Sequence, residues 1–453
     1  MNKNEEYVVD IIDNGFQGEG IAKIDNITVF IEGAIKGEKV KILIIKVMSS
    51  YAYGKIIEIL ETSTNRETPD CNTFNRCGGC ELRHINYAET LKMKTEVVKN
   101  ALYKELREHI QVNDCIGMEN PTGYRNKLIY PVGVNRDNKY VMGVYAKRSH
   151  EIINVEKCHI QNPLCEEIAK DIFKFTKENN IKPYNEKTHK GTIRHIIIRI
   201  GVKTNEVMCV LVLNEGKFSK EKELVEYIIK KYPMVKTIVK NINMKNTNVI
   251  LGDTSKVIYG DGYIYDMLGE YKFKISSLSF YQTNPIQTEV LYNKAMEYAE
   301  LTGEETVFDL YCGIGTIAIF ASKKAKQVYG IEVLEEAIID AKENGEINNI
   351  KNVEFVLGEV EEALPQLVEE KSLSADVVFI DPPRKGSDKI TLETLLKVEP
   401  KKIVYVSCNP ATLARDIKML QDKYVVTKVQ PVDMFPYTAN IETVSLLTLQ
   451  SGL

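Results

Sequence analysis

The pattern of apolar and polar positions divides the chain into three parts. Over residues 1–60, short apolar runs alternate with glycine-containing turns, which predicts five short strands. The runs read YVVDIID, GIAKID, ITVFIEG, EKVKILIIKVM and YAYGKIIEIL. Short strands at such regular spacing are typical of a small closed sheet, so the first part is predicted to be a β-barrel.

The second part, residues 61–267, mixes helical and strand patterns. Residues 86–108 carry apolar side chains at helical spacing, and this helix is expected to pack on the C-terminal part. The β-rich runs RHIIIRIGV and EVMCVLVLN follow, together with the helical pattern KELVEYIIKKY. An α+β domain is predicted here.

In the third part, residues 268–453, strand and helix patterns alternate. The strand runs ETVFDLY, QVYGIEV, NVEFVLG, ADVVFID and KIVYVSC are each followed by a helical pattern. This rhythm predicts a Rossmann-like parallel sheet with helices on both faces, and hence a multi-domain α/β chain. The last two runs, YVVTKVQPVDMF and TVSLLTLQ, are joined too tightly for a helical crossover, so an antiparallel pair is expected.

The composition is that of an ordinary globular protein, with 44% hydrophobic and 27% charged residues. The chain has no apolar stretch of membrane-span length and begins with a polar segment, so a cytoplasmic location without membrane contact is expected. Its net charge of −4 does not indicate a nucleic-acid binder. Basic residues nevertheless dominate one segment. This segment could bind a phosphate backbone or could simply be a solvated face. Its basic residues are Arg125, Lys127, Arg136, Lys139, Lys147, Arg148 and Lys157.

The segment DLYCGIGT, residues 309–316, follows the first strand of the third part and opens a helix. Gly313 and Gly315 let a ligand approach the backbone closely. Ala318 occupies the third glycine position of a dinucleotide fingerprint, which is a permitted variant. Glu332 ends the second strand and can accept hydrogen bonds from both ribose hydroxyls. The motif alone fits both NAD and S-adenosylmethionine.

Two later strand ends favour S-adenosylmethionine. Asp381 in FIDPPRKG and Cys408 in KIVYVSCNP follow the fourth and fifth strands. Ligands of open α/β sheets bind at these carboxyl ends, so both side chains are expected in one crevice. A rigid Asp-Pro-Pro turn suits the orientation of a flat base beside a methyl donor. The same turn would also serve amino-group methylation of adenine, which needs no cysteine.

A cysteine in this position suggests pyrimidine chemistry. Carbon 5 of uracil is too weak a nucleophile to take a methyl group unless a thiolate first adds to carbon 6. A base must then remove the carbon 5 proton so that the sulfur can leave. Cys408 is the candidate nucleophile, and Glu442, just before the last strand, is the candidate base. Taken singly, a small buried residue and a surface glutamate are the plainer interpretations.

Five motifs occur in a characteristic order: FYQTN (280–284), DLYCGIGT, IDPPRKG, VSCNPATLARD and a glutamate before the last strand. Together they resemble the bacterial RNA uracil-5-methyltransferase family, in particular its 23S rRNA branch, over nearly the whole chain. The resemblance implies a site for S-adenosylmethionine and the target base at Gln282, Tyr311, Glu332 and Asp381. It also implies that Cys408 is the nucleophile and Glu442 the base.

The first part resembles a TRAM domain, an RNA-binding accessory of the oligonucleotide-binding type. The expected partner is therefore RNA, in particular a structured 23S rRNA loop from which the base can be extruded, with no obligate protein partner. The chain departs from the family near its end. Tyr437 and Asn440 stand where the family has histidines, which keeps a non-catalytic RNA-binding paralogue open as an alternative.

Three cysteines form the motif C-x5-C-x2-C at Cys71, Cys77 and Cys80. Such closely spaced thiols can share a zinc ion or an iron–sulfur cluster. Cys158 is the best candidate for the fourth ligand, and His84 or His159 could complete a zinc site. The family resemblance implies a 4Fe–4S cluster on the four cysteines. The remaining cysteines have weaker motif support, and the last two are expected in cores: Cys115, Cys165, Cys209 and Cys312.

The same reaction on transfer RNA is the nearest rival. The cysteine motif and the N-terminal part favour ribosomal RNA, because the transfer-RNA relatives generally lack both.

Overall fold

The computed structural model describes residues 1–450 except residues 136, 372 and 374. Arg136 of the basic segment therefore lies outside the described residues. Within these residues there are nine helices and twenty-two strands, and the strands form four sheets. Among these helices, none combines the length and apolar character needed to cross a membrane.

The N-terminal sheet has the strand order β1-β5-β6-β4-β3-β2, in which only β4 and β6 are parallel. Its strands are β1 (Glu6–Asp10), β2 (Asp13–Asn14), β3 (Gly20–Ile24), β4 (Ile27–Glu32), β5 (Lys39–Val47) and β6 (Tyr51–Glu61). Only residues 11 and 12 join the two edge strands, and the Ile12 N–H donates to the Ile21 carbonyl at 2.8 Å. The sheet must therefore be strongly curled, while complete closure into a barrel stays a prediction.

A long helix and a second sheet follow. The elements are α1 (Tyr87–Leu106), β7 (Lys127–Val134), β8 (Tyr140–Tyr145), β9 (Ile152–Asn154), α2 (Pro163–Glu178), β10 (Ile193–Ile200), β11 (Val207–Leu213), α3 (Glu221–Lys231), β12 (Val235–Ile242) and β13 (Thr254–Tyr259). The strand order is β13-β12-β11-β10-β7-β8-β9. Strands β10 and β11 are buried along their whole length, which explains the uninterrupted apolar sequence of β11. Strand β10 also buries Arg194, His195 and Arg199. The sequence pattern did not single out α2, which begins where the Asn162 side chain accepts the Leu164 N–H at 3.0 Å.

The hairpin of β14 (Tyr263–Leu268) and β15 (Tyr271–Ser276) leads into the C-terminal sheet. The predicted boundary between residues 267 and 268 lies inside β14. The sheet's strands are β16 (Thr306–Leu310), β17 (Gln327–Glu332), β18 (Val353–Leu357), β19 (Val377–Ile380), β20 (Lys402–Ser407), β21 (Tyr424–Val432) and β22 (Glu442–Leu449). Its helices are α4 (Pro285–Ala299), α5 (Thr316–Ser322), α6 (Glu335–Ile347), α7 (Val360–Glu370), α8 (Lys389–Val398) and α9 (Pro410–Leu420).

The C-terminal sheet has the order β18-β17-β16-β19-β20-β22-β21. Its first five members are parallel, and β22 runs antiparallel to both β20 and β21, which confirms the predicted antiparallel pair. Glu442 is the first residue of β22 and does not precede the strand as predicted. The carboxyl ends of the parallel strands meet at one edge, where every candidate side chain of this sheet is placed.

Helix α1 packs on the C-terminal sheet's layer of helices. It contacts α9 and β21, and its buried Val98 and Leu102 join the same apolar cluster as Leu413 and Ile417. Lys94 of α1 forms an ion pair with Asp433 at 2.5 Å, with side chains 3% and 0% exposed. The middle part of the chain therefore supplies both apolar contacts and a buried charge to the C-terminal part.

Replacing Lys94 with methionine is expected to lower the free energy of unfolding by about 3–5 kcal/mol, because the Asp433 carboxylate would stay buried without its cation. Urea unfolding followed by circular dichroism measures the effect. Lys99→Met is the matched control on the same helix, since its pair with Glu96 is exposed and should contribute less than about 1 kcal/mol. Equal stability of the two variants would contradict the assigned role of the buried pair.

Candidate functional site

The turn between β16 and α5 has an unusual backbone. Tyr311, Gly313 and Gly315 all adopt positive φ angles, of 63°, 54° and 82°. A Cβ on Gly315 would lie 2.6 Å from the Phe355 ring, so glycine is required there for packing. A Cβ on Gly313 would meet no atom within 4 Å, so the backbone at that point is open to a ligand.

Glu332 is held firmly beside this turn. One carboxylate oxygen accepts the N–H groups of Val333 and Leu334, each at 2.9 Å, and the other accepts the Gly313 N–H at 3.2 Å. Both oxygens lie at the end of β17, where the sequence pattern placed a ribose-binding acid. Three backbone donors fix the carboxylate, so it is oriented before any ligand arrives.

Other acidic side chains lie near Glu332 and the turn between β16 and α5. Asp309 accepts the Ala318 N–H at 2.8 Å through one oxygen, and its other oxygen is buried without a partner. Burial raises the pKa of Asp309 well above its ordinary value, and the nearby Asp381 and Glu332 raise it further. Glu332 and Asp309 thus place carboxyl groups next to the turn whose backbone at Gly313 is open to a ligand.

The register of β20 and β22 brings the two candidate catalytic residues together. Ser407 pairs with Thr443 in this antiparallel ladder. The next pair in the same register is Cys408 and Glu442, so the thiol and the carboxyl group stand on adjacent strand ends. Cys408 is half-buried and Glu442 is 5% exposed. The parallel ladder of β16 and β19 places Asp381 beside Tyr311 by the same reasoning.

Electrostatics at these strand ends favour protonated groups. Burial raises the pKa of Cys408 to about 11, the carboxyl groups of Glu442 and Asp381 raise it as well, and Arg384 opposes them. Burial also raises the pKa of Glu442 well above its ordinary value, with Asp381 adding to it and Arg384 opposing. Burial raises the pKa of Asp381 to about 7. In the free protein near neutral pH, Cys408 is therefore a thiol.

This state predicts a steep pH dependence for chemical labelling. The rate at which iodoacetamide alkylates Cys408 is expected to rise about tenfold for each pH unit between 7 and 9, because both values lie below the thiol's pKa. Peptide mapping by mass spectrometry separates this thiol from the others. A thiol of ordinary pKa, about 8.5, would already approach its plateau at pH 9, and such a plateau for Cys408 would contradict the assigned environment.

Two residues of this region were not indicated by the sequence pattern. Arg384, in the Asp-Pro-Pro turn, donates to the Asn440 side-chain oxygen at 3.5 Å. Phe280 is 73% exposed, although aromatic side chains are usually covered, and it lies two residues before Gln282. Gln282 itself is half-buried, and its carbonyl accepts a hydrogen bond from Asn126 at 3.0 Å. An aromatic residue inside a polar turn was the available signal for Phe280.

Tyr437 and Asn440 belong to a loop that contacts the segment after the cysteine motif. The Leu82 N–H donates to the Tyr437 carbonyl at 2.9 Å, and the Ala439 N–H donates to Glu81 at 3.1 Å. The Arg83 guanidinium lies 4.6 Å from the centre of the Tyr437 ring. The three residues after Cys80 therefore hold the loop that leads into Glu442.

The four cysteines predicted as ligands line one cavity of about 280 Å³: Cys71, Cys77, Cys80 and Cys158. Cys115, Cys165, Cys209 and Cys312 are buried away from this cavity, and the last two lie in apolar cores as predicted. Arg83, Arg125 and Lys127 also line the cavity. Arg83 Nη1 and Arg125 Nε are buried without hydrogen-bond partners. Thiols and cations together suit an occupant that is soft and negatively charged.

Within residues 1–450 apart from the three omitted positions, no three His, Cys, Asp or Glu side chains are grouped so that they could hold a metal ion. The thiols stand around the cavity and do not converge on one point. His84 does not line the cavity, while His159 does, and the ring of His159 lies 3.2 Å from Asp70.

Family models match both ends of the chain. Residues 239–450 match the model described as tRNA (Uracil-5-)-methyltransferase, and residues 2–57 match the TRAM domain. A protein of Clostridium tetani described as an uncharacterized RNA methyltransferase is 47% identical, covering 99% of this chain and 97% of its own. One of Clostridium acetobutylicum with the same description is 49% identical, covering 99% and 98%.

A solved structure extends the similarity to three dimensions. The Pyrococcus abyssi tRNA (uracil-54, C5)-methyltransferase in complex with S-adenosyl-L-homocysteine has a TM-score of 0.78 and 26% identity. The match covers 98% of this chain and 100% of that one, so it includes the N-terminal sheet. The expectation that transfer-RNA relatives lack this part is therefore wrong for that enzyme. The chain belongs to the RNA uracil-5-methyltransferase family, whose members use S-adenosylmethionine, and it carries an N-terminal TRAM domain.

Proposed function

We propose that the protein methylates carbon 5 of a uridine in RNA through a covalent adduct between Cys408 and carbon 6 of the base. The observation that carries this proposal is the register that sets Cys408 opposite Glu442, beside the bay of Gly313 and Glu332. A thiol and a carboxyl group side by side are what the two halves of the reaction need.

Bound in the bay, S-adenosylmethionine supplies an electrophilic methyl group, and Gly313, Glu332 and Asp309 would hold it. The Cys408 thiol first loses its proton to solvent. Its thiolate then adds to carbon 6, and the displaced electron pair makes carbon 5 nucleophilic toward that methyl group, whose transfer releases S-adenosylhomocysteine. Glu442, in its ionised form, then takes the proton from carbon 5 as the sulfur–carbon 6 bond breaks, which restores the double bond between carbons 5 and 6 and the free thiolate. Arg384 favours the thiolate, because its charge opposes the pKa increase of Cys408.

Recognition of the base is assigned to the residues around the crevice. Asp381, at the end of β19, accepts or donates a hydrogen bond at the polar edge of uracil, and Gln282 supplies an amide in the same region. Tyr311 lies beside Asp381 and donates to or accepts from Thr391 at 3.2 Å, so its ring is held at the rim. Phe280 offers an exposed ring on which a base can stack.

The proposed substrate is a loop of 23S rRNA, by the motif resemblance. Transfer RNA is a second candidate, because the Pyrococcus abyssi enzyme that matches the whole chain acts on transfer RNA by its description. Mapping of 5-methyluridine in both RNAs, from cells with and without the protein, tests the proposal. One ribosomal position should lose its methyl group. Loss only in transfer RNA would support the second candidate, and no change in either RNA would refute the proposed reaction.

We further propose that Cys71, Cys77, Cys80 and Cys158 hold a 4Fe–4S cluster, with zinc as the alternative metal. Support comes from their position around one cavity with three cationic side chains, since a thiolate-bound cluster is large and negatively charged. Its role would be structural, because methyl transfer needs no electron. The proposed location is the cytoplasm, as expected from the sequence, where RNA substrates and reduced thiols are both found.

Protein purified without oxygen is expected to be brown and to contain about four iron atoms per chain. Cys158→Ala should lose the iron and the colour. Cys165→Ala is the matched control, because Cys165 is buried outside the cavity. A colourless protein with one zinc ion per chain would refute the cluster in favour of zinc.

A further inference from the structure

We propose that the outer face of the N-terminal sheet is a stacking site for unpaired RNA bases, formed by Phe30, Tyr51 and Tyr53 with Arg148 at its rim. This inference rests on the proposed function, since it assumes that RNA is the substrate.

Strand alternation places the three rings on the outside of the sheet. In β4, Val29 and Ile31 are 0% exposed and face the core, so Phe30 between them faces the other side. In β6, Ala52 is fully buried, and its neighbours Tyr51 and Tyr53 point outward. The outward face of such a sheet normally carries polar residues, so three aromatic side chains at these positions require a reason.

The rings form one continuous patch. Phe30 pairs directly with Tyr53 across the parallel β4–β6 ladder. The ring centres of Phe30 and Tyr51 are 5.8 Å apart, and those of Tyr51 and Tyr53 are 5.5 Å apart, both in edge-to-face orientation. An edge-to-face pair covers one face of one ring, and all three side chains remain partly exposed. Open aromatic faces on an oligonucleotide-binding sheet are suitable platforms for successive bases.

Positive charge borders the patch. Arg148, whose side chain is 84% exposed, lies 3.9 Å from Glu32 at the end of β4, and Lys147 contacts the other oxygen of Glu32 at 2.7 Å. Tyr51 and burial raise the pKa of Tyr53, while Arg148 opposes them, so the guanidinium acts on this phenol. Glu19 also acts on this phenol, so the rim contains the carboxylates of Glu19 and Glu32 as well as the two cations, of which Arg148 is the exposed one available to a phosphate.

An open cavity of about 590 Å³ continues from this rim. It is lined by residues 77–79 of the cysteine motif and by residues 144–150, which include Lys147, Arg148 and His150. His150 contacts Glu186 at 2.9 Å, so this end of the cavity contains an acid as well. Through Lys147 and Arg148 the cavity connects the rim of the aromatic face with the cysteine motif. Residues 81–83, which follow that motif, contact the loop before Glu442.

The composition of the chain allows a direct test, because it contains no tryptophan. Tyr53→Trp, in a Cys408→Ala background that blocks turnover, would carry a single reporter at the proposed site. Its fluorescence is expected to be quenched when a uridine-containing stem-loop RNA is added, and not by a fully paired duplex. Tyr103→Trp is the matched control, since Tyr103 is an exposed aromatic residue on α1, and its fluorescence should not respond.

Affinity measurements complete the test. Tyr53→Ala is expected to weaken stem-loop binding about 5- to 100-fold, the range for one lost stacking contact. Tyr53→Phe should bind normally, because the ring that stacks is retained. Arg148→Ala should reduce the slope of log Kd against log salt by about 1.

The outcomes separate this inference from the proposed function. Stem-loop RNA that binds Tyr53→Ala as tightly as the unaltered protein, or leaves Tyr53→Trp fluorescence unchanged at saturation, overturns the stacking site alone. RNA that fails to bind the unaltered protein overturns the proposed function as well.

Discussion

Replacement of Cys408 with alanine is expected to abolish methyl transfer, with a rate loss on the order of 10⁴-fold or more, as for other nucleophile deletions. Without the sulfur, no group activates carbon 5 of the uracil, and the neighbouring Glu442 and Asp381 cannot replace it because carboxyl groups are poor nucleophiles toward carbon 6. Transfer of a labelled methyl group to a stem-loop RNA measures the loss.

A trapping experiment identifies the sulfur directly. RNA with 5-fluorouridine at the target position, together with S-adenosylmethionine, should form a covalent complex with the unaltered protein that survives denaturing electrophoresis, because after methyl transfer the fluorine cannot leave carbon 5 as a proton does. Cys408→Ala should form none, and Cys209→Ala, which alters a thiol in the core of the middle domain, should form as much as the unaltered protein. A covalent complex on Cys408→Ala would show that another group is the nucleophile.

The second large effect is expected for Glu442→Gln. Turnover should fall about 10²–10⁴-fold, the usual contribution of a general base. Addition of Cys408 and methyl transfer should still occur, because neither step uses the Glu442 carboxylate. The protein is therefore expected to accumulate a covalent complex with ordinary uridine RNA, and denaturing gels with labelled S-adenosylmethionine would show methyl label on the protein–RNA band.

The control for this change is Glu362→Gln, which alters an exposed glutamate on α7 and should leave turnover and gel mobility unaffected. A Glu442→Gln variant that is slow and yet accumulates no complex would assign Glu442 to an earlier step. The pH dependence gives a further check. Since burial raises the pKa of Glu442, its base form is lost as the pH falls, and turnover should decline toward acid pH.

The order of strands and helices in the C-terminal sheet could be predicted because each element leaves its own periodicity. β16, β17, β19 and β20 are covered on both faces and read as continuous apolar runs. α4 gave no such signal. Its buried side chains include Gln287 and Thr288, which bond to backbone carbonyls of other segments or of their own helix, so the first turns of its buried face are polar and only the later turns are apolar.

The sequence predicted the positions of Glu332, Asp381 and Cys408 at the carboxyl ends of their strands, because each follows or ends a clear apolar run; their roles stay a prediction. The basic segment shows the opposite case. Arg125 and Lys127 line the cysteine cavity, whereas Lys147 and Arg148 border the N-terminal sheet. The hairpin of β7 and β8 lies between the two pairs and reverses the chain, so neighbours in sequence face different partners.

The contact of α1 with the C-terminal sheet determines where the polypeptide can be truncated without loss of stability. A polypeptide that starts at residue 268 would retain Asp433 but lose Lys94, and it would present the apolar side of α9 to water. Residues 268–453 are thus not expected to fold stably without helix α1. Any fusion or deletion that replaces the N-terminal sheet must leave helix α1, residues 87–106, attached to the C-terminal sheet.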